Sequence, residues 1–115
     1  MIGYRTPCLV LLSEGREDLV FPLVGDRVTI GRALDSDIQF DAEHVSRRHA
    51  EVFRQDDAWF VRDGGSRNGT RVNGARVVAE HRLAPNDRID LGRRAVTLYF
   101  VEVNPASLDE APAAA

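Results

Sequence analysis

Ser66-Arg67-Asn68-Gly69-Thr70-Arg71-Val72-Asn73-Gly74 (residues 66–74) is the stretch whose reading decides the fold. It continues a dense turn region that opens at Asp63-Gly64-Gly65 and ends on the pair Asn73-Gly74. Asn-Gly is the strongest short-range hairpin signal, because a type I′ turn needs positive φ at both central residues. Punctuation this dense leaves room only for short strands on either side.

Outward from it, the same grammar repeats. Upstream, His49 to Phe53 and Ala58 to Val61 form a strand pair turned by Gln55-Asp56-Asp57, with the strand formers Trp59 and Phe60 on opposite faces. Asp37 to Phe40 makes a short strand. Arg27 to Gly31 alternates, Val28 and Ile30 facing one way and Arg27 and Thr29 the other. Cys8 to Leu12 and Leu19 to Val24 are apolar runs separated by a turn at Ser13-Glu14-Gly15-Arg16, and Pro22 marks the second as an edge strand or a bulged one. Downstream, Ile89-Asp90-Leu91 and the alternating run Ala95 to Val103 finish the series. No window holds a 3.6-residue apolar period beyond two turns. About ten short strands without helical alternation indicate an all-β sandwich or barrel, with binding residues gathered on loops at one end. We divide the chain into a lead (residues 1–6), one folded domain (7–103) and an Ala/Pro-rich acidic tail or linker (104–115).

Composition narrows the function. The chain has 115 residues, 43% of them apolar, and carries 15 basic against 18 acidic side chains, a formal charge of −3. Nucleic-acid binding, which relies on positive surface, is not expected of such a chain. Every basic residue is arginine, which reads first as codon usage in a GC-rich genome. The lone Cys8, inside an apolar run, reads as a buried structural thiol; with no disulfide possible and no signal peptide or spanning segment of the ~18 residues a bilayer needs, a cytoplasmic address is expected, without membrane attachment.

Three loops hold the polar residues that turn chemistry explains least: Gly31-Arg32-Ala33-Leu34-Asp35-Ser36-Asp37, His44-Val45-Ser46-Arg47-Arg48-His49, and Gly65-Ser66-Arg67-Asn68-Gly69-Thr70. If they converge, Arg32, Ser46, Arg47, Arg67 and Asn68 present guanidinium forks, a hydroxyl and an amide. Planar guanidinium forks match phosphate oxygens bidentately, and an amide offers both the donor and the acceptor that an extended backbone presents. On spacing alone, the arginines read first as solvated loop residues and Asn68-Gly69 as a turn.

Gly31-Arg32, then Ser46-Arg47-Arg48-His49, then Ser66-Arg67-Asn68-Gly69-Thr70 with Val72-Asn73-Gly74, and later Leu83, Asp87-Arg88-Ile89 and Leu91-Gly92, in this order and at these separations, resemble the forkhead-associated (FHA) domain across residues 7 to 103. The resemblance implies an FHA-like β-sandwich of about 11 mostly antiparallel strands that docks phosphothreonine peptides on its end loops. By it, Arg32 grips the phosphate, the Ser46 hydroxyl donates to it, Arg47 adds a phosphate contact, and Asn68 holds the peptide main chain. Arg67 stands where many members carry threonine and joins the phosphothreonine-binding candidates. His49 is structural, holding the Ser46 loop by hydrogen bonds; Gly31 and Gly69 permit backbone conformations or close approaches that a Cβ would block. The implied partner is a phosphothreonine-containing protein, such as a Ser/Thr kinase or its substrate, in bacterial signalling.

Catalysis, cofactors and metals are not expected. Ser46 and His49 lie three apart on a loop, and no Gly-x-Ser-x-Gly elbow surrounds Ser46. His44, His49 and His81 lack metal-ligand spacing, and one cysteine cannot build a structural zinc site. The competing expectation is a phosphorylation-independent interaction module built on the same fold.

Overall fold

Alternation sorts each strand into a core face and an outer face. The computed structural model describes residues 6–12, 15 and 17–103. Eleven strands follow in order: β1 (Thr6–Leu11), β2 (Leu19–Pro22), β3 (Arg27–Gly31), β4 (Ile38–Gln39), β5 (Ala50–Gln55), β6 (Ala58–Asp63), β7 (Thr70–Val72), β8 (Ala75–Arg76), β9 (Glu80–Arg82), β10 (Asp87–Leu91) and β11 (Val96–Val103). They form a six-stranded sheet, β2-β1-β11-β10-β7-β8, and a five-stranded sheet, β4-β3-β5-β6-β9. The pairings are antiparallel except β3 with β4. The turn expected at Ser13-Glu14-Gly15-Arg16 lies, apart from Gly15, outside the described residues, as do residues 1–5 and the tail 104–115.

The core is the sum of the inward positions. Val28 and Ile30 of β3, Val52 of β5, and Trp59 and Val61 of β6 meet Leu9 of β1, Val72 of β7, Ile89 and Leu91 of β10, and Leu98 and Phe100 of β11. Ile30 and Leu91 are fully buried, and truncating a side chain so placed to alanine typically costs about 2–5 kcal/mol. Outward positions pair differently: Phe53 stacks on Phe60 across β5–β6 (centroids 5.6 Å apart) with the Arg62 guanidinium over Phe53. Trp59 and Phe60 thus do occupy opposite faces. Cys8 is buried, which pushes its thiol pKa up and leaves it a protonated packing group.

Two turns follow from residue chemistry. Asn73 and Gly74 both take positive φ (51° and 89°), as the β7–β8 hairpin requires. Asp56 and Asp57 do the same between β5 and β6. Pro22 sits on the outermost strand of its sheet, opposite Cys8. Because the next residue, Leu23, donates its N–H to Pro7 O, residue 22 turns its nitrogen to the open edge. Proline has no N–H to offer there, which blunts pairing with another strand.

Register brings the functional loops to one end. Ile30 pairs with Ala50 and Ala50 with Asp63 in one sheet; Thr70 pairs with Leu91 in the other. The segments after β3, before β5, between β6 and β7, and after β10 therefore emerge together.

Candidate functional site

Ser46 ties three of these segments through three different groups. Its backbone N–H donates to His49 Nδ1 at 3.0 Å. Its carbonyl accepts the backbone N–H of Arg32 at 2.9 Å. Its Oγ accepts the backbone N–H of Arg67 at 2.9 Å. An accepted N–H occupies a lone pair and leaves the hydroxyl proton free to turn toward a ligand.

His49 completes the frame from below. It is fully buried, and with Nδ1 accepting from Ser46, Nε2 carries the proton and donates to Gly69 O at 2.8 Å. Its backbone is held as well: its N–H donates to Ile30 O, and its carbonyl accepts the N–H of Gly64 at 2.7 Å. One side chain thus spans from the Ser46 loop to the β6–β7 loop.

The strand that leads to Arg32 runs hard against the same loop. A Cβ on Gly31 would lie 2.0 Å from Arg47 O, so only glycine fits. The approach lets Ala33 N–H reach Arg47 O at 3.2 Å. Beyond it, the Asp37 carboxylate accepts both N–H and Oγ–H of Thr29, and Gln39 Nε2 donates to Arg32 O. Arg32 has a fixed backbone and an exposed side chain.

Asp63 organises the third loop. Its carboxylate accepts the N–H groups of Gly65 and Ser66 and the hydroxyls of Ser66 (2.5 Å) and Thr70 (2.7 Å). Burial would raise its pKa; the hydrogen bonds together outweigh burial and hold it below the usual aspartate value. Ser66 Oγ in turn accepts Gly69 N–H, and Gly69 adopts φ +86°, a conformation costly for any side chain. Asn68 Nδ2 donates to His44 O at 3.1 Å, leaving its Oδ1 and second N–H for a ligand.

The result is an open groove lined by Arg32, Glu43, His44, Val45, Ser46, Arg47, Arg67 and Asn68. All five ligand candidates read from the sequence meet there, while Gly31, His49 and Gly69 lie in its supporting frame. The side chains of Arg32, Arg47 and Arg67 make no ion pair or hydrogen bond among the described residues. Sequence reasoning missed Glu43, His44 and Val45 as lining residues, and Asp63, Ser66 and Thr70 as the supports beneath Arg67 and Asn68. The Asp63-x-x-Ser66 spacing was their available signal, since Asp readily caps the backbone two and three residues on. Gly92 was also missed as a support: a Cβ there would lie 2.2 Å from His44 O.

The arrangement suits anion binding and opposes nucleophilic catalysis. His49 Nδ1 is engaged by the Ser46 amide rather than its hydroxyl, so His49 is not placed as a base for Ser46 Oγ, which accepts the Arg67 N–H instead. Among the described residues no cluster of His, Cys, Asp and Glu is placed to hold a metal ion, and no helix is long and apolar enough to cross a membrane. A second cleft, on the outer face of β3, β5 and β6, is lined by Asp35, Arg48, Glu51 and Arg62, but these charges already pair with one another.

Known proteins share this framework. An FHA domain of Chlamydia trachomatis superposes with TM-score 0.78 at 26% identity, covering 85% of this chain and 97% of that one. EmbR of Mycobacterium tuberculosis, solved in complex with a low-affinity phosphopeptide, matches with TM-score 0.74 at 28% identity over 84% of this chain and 24% of its own. The oxoglutarate dehydrogenase inhibitor of Corynebacterium diphtheriae is 45% identical over 74 residues, 64% of this chain and 50% of that protein. The chain spans about half or less of the length of the curated relatives it matches. Residues 28–92 match the FHA domain, a span from β3 through all three loops to Gly92. By its sheets and by that match, the chain belongs to the FHA domain family.

Proposed function

We propose that the chain is a non-catalytic binding module that recognises phosphothreonine in partner proteins, using Arg32, Ser46, Arg47 and Arg67 toward the phosphate and Asn68 toward the peptide main chain. One observation carries it: three arginine side chains without an ion pair or hydrogen bond among the described residues surround a serine whose backbone and Oγ lone pair are already tied. Guanidinium groups without a carboxylate partner have no ion pair to give up on binding a dianion and gain charge-assisted bonds. Its partners are then phosphothreonine-bearing proteins that act with Ser/Thr kinases, and its address is the cytoplasm. A phosphopeptide sits on EmbR, a relative of the same fold.

Calorimetry with one peptide in phosphothreonine, phosphoserine and unmodified forms tests it. The phosphothreonine form binds; the unmodified form does not; the phosphoserine form binds more weakly if a pocket receives the γ-methyl, by about 1–3 kcal/mol. Binding that survives both phosphatase treatment and Arg32→Ala would mean a phosphorylation-independent module.

A further inference from the structure

The arginines divide into two populations. Arg27, Arg48, Arg54, Arg62 and Arg88 each face a carboxylate within 4 Å. Of the eight without such a partner among the described residues, Arg32, Arg47 and Arg67 line the groove, four exposed ones lie beside it (Arg71, Arg76, Arg93 and Arg94), and Arg82 stands apart on β9 of the other sheet. In a chain of net charge −3, this places unbalanced positive charge on one flank of one end.

The four are held next to the site. Arg71 and Arg76 stand directly opposite each other across the β7–β8 hairpin. Like charges so paired destabilise a sheet, so folding gains nothing from them. Arg71's other cross-strand neighbour, Asp90, is engaged instead by Arg88 and Thr97. The Arg76 guanidinium lies over Gly69, 3.4 Å from where a Cβ would be, and so adjoins Asn68. Arg93 and Arg94 occupy the β10–β11 turn in left-handed conformations (φ 59° and 65°), just beyond Gly92, which packs on His44 O beneath the groove. Asp41 and Glu43 are the exposed acids on the neighbouring loop.

We propose that the β7–β8 hairpin and the β10–β11 turn form a second anion subsite, in which Arg71 and Arg76, flanked by Arg93 and Arg94, receive a further acidic group of the segment whose phosphothreonine occupies the groove. The inference rests on the phosphothreonine reading of the groove. Facing guanidinium forks suit a second phosphate or a run of carboxylates; both supply the same oxygen-rich negative charge.

Fluorescence anisotropy on the full chain with synthetic peptides separates the possibilities. One peptide carries phosphothreonine with neutral flanks; others add a glutamate run, or a second phosphothreonine, on either side. We expect at least one flanked peptide to bind on the order of tenfold tighter, with the gain shrinking as salt rises. In R71S/R76S the gain disappears while the neutral-flank peptide binds as before; R93N/R94N, which suits the left-handed turn, reduces it. A gain from both glutamate and phosphate assigns an acidic flank, and a gain from phosphate alone assigns a second phosphorylated residue. The proposal is overturned if the neutral-flank peptide binds and no flank adds affinity, or if the gain survives R71S/R76S with circular dichroism unchanged. If the neutral-flank peptide itself fails to bind, the phosphothreonine reading falls first, and this one with it.

Discussion

The outer face of β3, β5 and β6 and the loop end of the sandwich use the same residue type for opposite purposes. On the sheet face, Glu51 draws in Arg27 and Arg62, and Arg62 also covers the Phe53 ring. There the side-chain tips are engaged and the backbone is ordinary ladder. At the loop end, Arg32, Arg47 and Arg67 have their backbones anchored and, among the described residues, no polar partner at their tips. An engaged arginine covers surface and adds little stability; one anchored at its root and free at its tip is organised for something that arrives later. Composition cannot tell the two apart, because the distinction lies in what each arginine touches.

Arg32→Ala should separate the regions most widely. Removing the arginine from a charge-assisted phosphate pair is expected to cost about 2–5 kcal/mol of binding, read by calorimetry, while leaving the melting temperature within a degree or two, since the exposed side chain makes no ion pair or hydrogen bond among the described residues. Comparable losses of binding and stability would place Arg32 among the structural arginines.

His49→Ala attacks the anchorage rather than the tips. It strands the Ser46 N–H, leaves the Gly69 carbonyl with a 3.5 Å bond from the Gly92 N–H, and opens a void at a fully buried site. About 2–4 kcal/mol of stability should be lost in urea unfolding, together with phosphopeptide affinity, although His49 lines no part of the groove. Affinity that holds in the folded variant would show that the loops converge without it.

Asp63 tests the same anchorage through pH. Its folded-state carboxyl ionises at lower pH than the unfolded one, so its contribution is fully present above the unfolded value of about 3.9 and fades as pH falls through the lower folded value. Asp63→Asn should cost about 1–3 kcal/mol at neutral pH and flatten the acid limb of the stability curve below pH 4. An unchanged acid limb would remove Asp63 from the account of how the β6–β7 loop is held.

How much of this was legible in the sequence follows from the range of each interaction. The alternation in β3, the Asn73-Gly74 turn and the edge position of Pro22 are local, and a few residues suffice to read them. Ala75–Arg76 and Glu80–Arg82 are too short to show a period; the first is legible only as the far arm of the Asn73-Gly74 hairpin, and the second leaves no signal. The residue types around the groove were visible as three loops, but their convergence was not, because it runs through backbone groups that every residue possesses. Ser46 O to Arg32 N–H, or Asn68 Nδ2 to His44 O, leaves no trace in residue identity. Gly31 was the exception: only a missing Cβ admits the Arg47 carbonyl, so that contact does show in the letters.

The smallest expected effect closes the comparison from the other side. Arg62 reaches Glu51 through Nε at 2.7 Å and through its terminal nitrogen, and it lies near Glu80 as well. Its side chain is 45% exposed, so water screens the pairs, and the ordering of a long side chain offsets part of their attraction. Arg62→Ala should therefore lower stability by no more than about 1 kcal/mol, much of it from uncovering Phe53, with phosphopeptide affinity unchanged. High salt should shrink the pair's share without touching the ring contact, so R62A measured at low and high salt divides the two. A drop in phosphopeptide affinity in this variant would join the sheet face to the site, and the division between engaged and waiting arginines would no longer follow the fold.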